Sequence, residues 1–80
     1  MISAENIKAH IESSLPCEYV QVAGDDGRHF EALIVSAQFI GKNTVQQHQL
    51  VYKSLGDKMK QEIHALSMKT MTPEQWAHRA

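Results

Sequence analysis

Eighty residues can enclose one hydrophobic core and leave no room for a second, so residues 1–80 are expected to form a single domain. An apolar content of 42% against 21% charged residues is ordinary for a globular chain and excludes disordered and low-complexity classes. The formal charge of −1 lacks the basic excess of a strong nucleic-acid binder. Protonation of all five histidines would bring it to +4, so the surface changes character below about pH 6.

The lone cysteine, Cys17, has no partner for an internal disulfide and cannot hold a metal cluster alone. No run approaches the apolar length that spans a bilayer. Residues 1–6, Met-Ile-Ser-Ala-Glu-Asn, lack the basic start and apolar centre of a signal peptide. A reducing, cytoplasmic setting is the expectation.

Ser3 is placed to cap a first helix, with Glu5 in its first turn. Ile7, Ile11 and Leu15 fall on one helical face, and Pro16 pushes its predecessor out of helical geometry. The spacing predicts a helix over 4–14. Glu18–Ala23 alternates as a strand, Gly24-Asp25-Asp26-Gly27 is a dense turn signal, and His29–Val35 alternates again. Two strands about such a turn predict a hairpin. Residues 39–44 form a short connection with Asn43 or Thr44 as cap. Beyond it, Val45, His48, Tyr52, Leu55 and Met59 predict a second helix with one apolar stripe. Gly56 weakens its later part by about 1 kcal/mol relative to alanine. His64–Thr70 alternates as a third strand. Thr72-Pro73-Glu74-Gln75 then opens a last helix with a capping box and proline at its first position, and Trp76 is expected to anchor it on the core. The order α-β-β-α-β-α, with helices on one face of a three-stranded sheet, is an α+β two-layer fold.

That order and three motifs resemble the BolA family over essentially the whole chain. Phe39-Ile40-Gly41-Lys42 is similar to the family's turn before its second helix. Val45–Tyr52 is similar to its helix signature, and Ile63–Trp76, with Ile-His-Ala-Leu at its start, to its last strand and helix. The hairpin Gly24-Asp25-Asp26-Gly27-Arg28-His29-Phe30 is closest to the bacterial IbaG branch. The resemblance implies a fold similar to class II KH domains. It also implies a monothiol glutaredoxin partner with glutathione and a [2Fe–2S] cluster shared with it, none being bound by the chain alone. Where the family helix carries arginines, this chain has Gln46, Gln47 and Gln49, and no Gly-x-x-Gly loop joins two helices as the phosphate clamp of KH domains does. Both departures weaken a nucleic-acid role.

On the residues alone, His64 reads as a histidine at the core's rim with one ring nitrogen hydrogen-bonded, on the face of Leu66 and Met68. The resemblance makes it a cluster ligand, since a neutral imidazole can replace a thiolate on iron. His29, after the hairpin turn, reads alone as a solvated side chain, and through the resemblance as the second ligand. Four ligands are needed, so a partner must bring thiolates. His48 reads as structural, and His10 and His78 as solvated. No two histidines have the helical spacing of a private zinc site. Lys42, Lys53, Lys58, Lys60 and Lys69 read as solvated lysines or as a modest basic surface. No Ser–His–Asp set, paired acids or phosphate loop is present, so no enzyme is expected.

The expected function is that of an adaptor in iron–sulfur trafficking or iron sensing, with His64 and His29 as metal ligands. The alternative is a KH-like transcriptional regulator of stress response, with Lys42 and Lys53 on phosphates and DNA binding that is weak at most. Alone, the chain is expected as a monomer or weak homodimer away from membranes.

Overall fold

A computed structural model describes residues 3–24, 29–62 and 65–79, with 57–62 and 65 described by their backbone. The first helix, α1, runs Ala4–Ser14, the predicted span. Ser3 and Asn6 cap it reciprocally: Ser3 Oγ accepts from the Asn6 N–H at 3.1 Å, and Asn6 Oδ1 accepts from the Ser3 N–H at 3.3 Å. Leu15 is already extended ahead of Pro16. Ile7, Ile11 and Leu15 are all buried, each such side chain being worth about 1.5–3 kcal/mol.

Strands β1 (Tyr19–Ala23) and β2 (His29–Val35) pair antiparallel, from Tyr19 opposite Val35 to Ala23 opposite Glu31. Glu18 falls one residue outside β1, yet its N–H donates to the Val35 carbonyl at 2.8 Å. The predicted hairpin turn at 25–28 lies outside the described residues. At its foot a Cβ on Gly24 would stand 2.6 Å from the Phe30 ring and 2.7 Å from the His29 carbonyl. Glycine is therefore required for β2 to come this close to the end of β1.

A single 3₁₀ turn, Ala37–Phe39, follows β2. Ser36 fixes it by accepting from the Gln38 N–H at 3.1 Å and donating to the Pro16 carbonyl at 2.6 Å, which seats Phe39 fully in the core. Helix α2 spans Thr44–Glu62. Asn43 is its cap, with Oδ1 accepting from Gln46 N–H at 2.8 Å and Gln46 Oε1 returning the bond at 3.0 Å. Gly56 interrupts it at φ 75, ψ 171, a region essentially reserved for glycine. The weakness expected there is a change of direction.

The predicted stripe of α2 holds only in part: Leu55 is buried and His48 half-buried, and the Met59 side chain lies outside the described residues. Val45 is 64% exposed and Tyr52 46%, while Gln47, Val51 and Leu55 are buried. The pattern misled because the first core-facing position is polar. Gln47 is buried without penalty since its Nε2 donates to the carbonyls of Lys42 (2.9 Å) and Phe39 (3.3 Å), and its Oε1 accepts from the Thr70 hydroxyl.

Strand β3 runs Ala65–Met71, one residue later than predicted at its far end. It pairs parallel with β2, from His29 opposite Ala65 to Val35 opposite Met71, giving the mixed order β1-β2-β3. Helices α1 and α2 cover the face that carries Val20, Phe30, Ala32 and Ile34, closing the core. Helix α3 (Pro73–Ala77) has the predicted Thr72–Gln75 capping box. Its Trp76 does not enter the core. It stacks on Tyr19 with ring centroids 4.9 Å apart, beneath the Arg79 guanidinium. Tyr19 alternates with core-facing Val20, so α3 clasps the outer face at one end of the sheet.

Replacing Gln47 by alanine would take this partner from the Thr70 hydroxyl and the Lys42 carbonyl, while the Phe39 carbonyl would still accept from the Lys42 N–H at 3.1 Å. The expected loss is about 2 kcal/mol, read as a lower urea midpoint at unchanged slope; an unchanged midpoint would show that the bridge carries no stability.

Candidate functional site

His29 is the first residue of β2 and is exposed. Strand alternation puts it on the outer face with Glu31 and Leu33, opposite the face of Phe30 and Ala32. Its strand partner is Ala65, the first residue of β3. His64, the chain neighbour of Ala65, lies outside the described residues, as does its expected placement beside Leu66 and Met68. Both candidate ligands thus belong to chain segments that enter adjacent, parallel strands at the same end of the sheet.

The other histidines stand apart from that end. His48 is half-buried on α2, beside the buried row rather than inside it. His10, exposed on α1, has its Nδ1 3.3 Å from the Asn6 carbonyl, and exposed His78 closes α3. Among the described residues no three His, Cys, Asp or Glu side chains gather to hold a metal ion.

Cys17 precedes β1 at the end where Tyr19 faces Val35. His29 is six residues up β2 from Val35, about 20 Å away at strand rise, so thiol and imidazole cannot share one site. Cys17 is half-buried and its Sγ donates to the Leu15 carbonyl at 3.1 Å. Burial first, and the Glu12 carboxylate second, push its thiol above the ordinary cysteine range.

Lys42 and Lys53 do come together. With Gly41, Gln46, Gln49 and Leu50 they line one open depression along the outer side of α2. Lys42 is held there through its backbone, because its carbonyl accepts from Gln47, which is tied in turn to Thr70 near the far end of β3. The lysine depression and the His29 edge therefore occupy opposite ends of β3. Sequence reasoning missed Gln47, whose signal was its spacing of four and eight from Val51 and Leu55. It also missed the stack of Tyr19, Trp76 and Arg79, which no local spacing announces.

A family model described as BolA-like protein matches residues 2–75. The chain belongs to the BolA-like family. A BolA protein homologue from Coxiella burnetii has the same fold, with a TM-score of 0.86 at 40% identity over 98% of this chain and 100% of that one. BolA-like protein 2 of Homo sapiens is 38% identical across 95% of this chain and 92% of its own length. A Haemophilus influenzae protein named DNA-binding transcriptional regulator BolA is 44% identical over 48 residues, which are 60% of this chain and 47% of that protein. The BolA-like α+β fold is thereby established for this chain. Among the described residues no helix is long and apolar enough to cross a membrane.

A raised thiol pKa lowers the thiolate fraction at any given pH. Iodoacetamide should modify Cys17 more slowly than free cysteine at pH 7.5, with a rate–pH midpoint above about 8.5. A rate matching free cysteine would contradict the shielding.

Proposed function

We propose that this BolA-like protein is a non-enzymatic cytoplasmic adaptor that docks a monothiol glutaredoxin and helps hold a [2Fe–2S] cluster as shared cargo for trafficking or iron sensing. The observation that carries this reading is the pairing of His29 with Ala65, the residue that follows His64 in sequence. Two imidazole-bearing segments enter neighbouring strands at one edge, and His29 is exposed to a docked protein.

The donor set fits a shared cluster. A [2Fe–2S] unit takes four ligands, mostly thiolates, whereas this chain's one thiol lies at the opposite end of the sheet from His29. His29 and His64 are the residues that would hold the cluster from this side, and the partner's cysteine with glutathione would supply the sulfur. Imidazole in place of thiolate raises such a cluster's reduction potential. Gly24 contributes by letting the His29 backbone sit close against the end of β1, which fixes where the imidazole starts. A ligating ring also needs an acceptor for its second nitrogen, so each histidine requires an orienting partner.

Adding the protein to cluster-loaded glutaredoxin should change the visible circular dichroism, and His64→Ala should abolish that change while His29→Ala reduces or alters it. A spectrum identical with and without the protein, or identical for wild type and both variants, overturns the reading.

A KH-like regulator is favoured by a separate observation, the convergence of Lys42 and Lys53 on one depression of α2. The Haemophilus relative's name supports the same reading. Phosphate contacts by both lysines would make the logarithm of duplex affinity fall with that of salt, with a slope near −1.8, and each lysine-to-alanine change should flatten the slope by about 0.9. Binding absent at low salt, or a slope that neither change alters, removes this alternative.

A further inference from the structure

Strand β3 ends the sheet on one side, and its outer edge is open. The Ser36 N–H donates to the Met71 carbonyl at 3.1 Å, so Met71 turns its backbone groups towards β2. Peptide groups alternate along a strand. Lys69, Ser67 and Ala65 therefore face β2 as well, while Leu66, Met68 and Thr70 turn their N–H and C=O groups away from the sheet. Among the described residues nothing bonds those outward groups. Helix α3 does not cover them, because it folds back across the outer face to stack Trp76 on Tyr19 of β1. Open edges are commonly defended by proline, a bulge or several charges. Strand β3 has an unbroken register with β2 over its seven residues, and Lys69 is its one charge. On the helix-covered face its Leu66 and Met68 are half-buried. On the outer face Glu31 and Lys69 are exposed, and among the described residues no hydrogen bond or ion pair engages either.

We propose that β3 pairs antiparallel with β3 of a second copy of this chain, about a twofold axis at Met68. Met68 is the midpoint of Ala65–Met71, so the strand is matched along its whole length. In this register Met68 meets Met68, and Leu66 meets Thr70 on either side. Every outward N–H and C=O then gains a partner in the pattern of an antiparallel ladder. Leu66 and Met68 bury apolar surface against the copy. On the outer face, Lys69 of the copy stands opposite Ser67, which is already the sheet neighbour of Glu31. An open depression of about 410 Å³ lined by Glu31 and Ser67 gives that lysine room to lean over the small serine. The two backbones are two strand spacings apart, about 10 Å, a gap that the glutamate and lysine side chains close as an ion pair. The twofold axis makes the same pair again. Centring on Lys69 instead would set like charges opposite each other, and centring on Ser67 would carry Lys69 past Glu31 to Ala65. Charge complementarity thus selects a second copy and one register. The antiparallel arrangement points the two His29 ends in opposite directions, and the pairing does not depend on the adaptor reading.

The test uses the full chain free of iron. Sedimentation velocity should show monomer at micromolar concentration and a growing dimer fraction towards the millimolar range, as a small interface gives. Over the same range amide hydrogen exchange should slow at Leu66, Met68 and Thr70, while Ser67 and Lys69, already bonded to β2, keep their rates. Lys69→Glu and Glu31→Lys should each weaken association about 10-fold, since each reverses two symmetric exposed contacts. The double variant, with both charges exchanged, should recover wild-type association. Both positions are exposed, and a dispersed amide spectrum checks that each variant is folded. A chain still monomeric at about 1 mM, exchange that slows along β1 instead of β3, or a double variant no tighter than the single ones overturns the proposal. The exchange measurement on the wild type decides the matter even where a variant fails to fold.

Discussion

Parallel pairing of β2 with β3 obliges the chain to leave one end of the sheet and re-enter at the other, so α2 must lie across the strands and stay there. Gln47 holds it in place. One buried amide bonds the turn that presents Lys42, the carbonyl of the core residue Phe39, and Thr70 on β3. An apolar side chain at that position would leave the Thr70 hydroxyl and the Lys42 carbonyl without this partner, a cost that buried polar groups incur when a bond is lost, while the Phe39 carbonyl would still accept from the Lys42 N–H. The register that sets His29 opposite Ala65 follows from where this bridge fixes β3 against the helix layer.

Segments whose boundaries rest on local chemistry were legible in the sequence. Ser3, Pro16, Thr72 and Pro73 mark helix ends by capping and by sterics, forces that act within four residues; α1 and β2 match their expected spans and α3 begins where expected. What depended on distant partners was not legible. The buried face of α2 was misassigned because its polar core residue is satisfied by groups eight and twenty-three positions away. Trp76 was expected in the core because its size suggests burial. Its actual partner, Tyr19, lies at the other end of the sequence and comes within reach through the sheet register.

The candidate site divides along the same line. Composition and motif singled out His29 and His64 one by one, but their strand relationship depends on the crossover and could not be read from spacing. The converse holds for Lys42 and Lys53. The sequence paired them as candidates eleven positions apart, and the turn that presents Lys42 ahead of α2 brings it to the same depression as Lys53 on the helix. Gln46, Gln49 and Leu50 between them carry no charge, so that surface is basic at its margins and neutral at its centre.

The break at Gly56 has a mechanical meaning. An uninterrupted nineteen-residue helix would be a rod ~28 Å long, and a slight tilt at one tip would lever the other by several ångströms. With the bend at Gly56, the portion that carries Gln47, Val51 and Leu55 need not share an axis with the portion leading into β3, so each can follow the part of the sheet it meets.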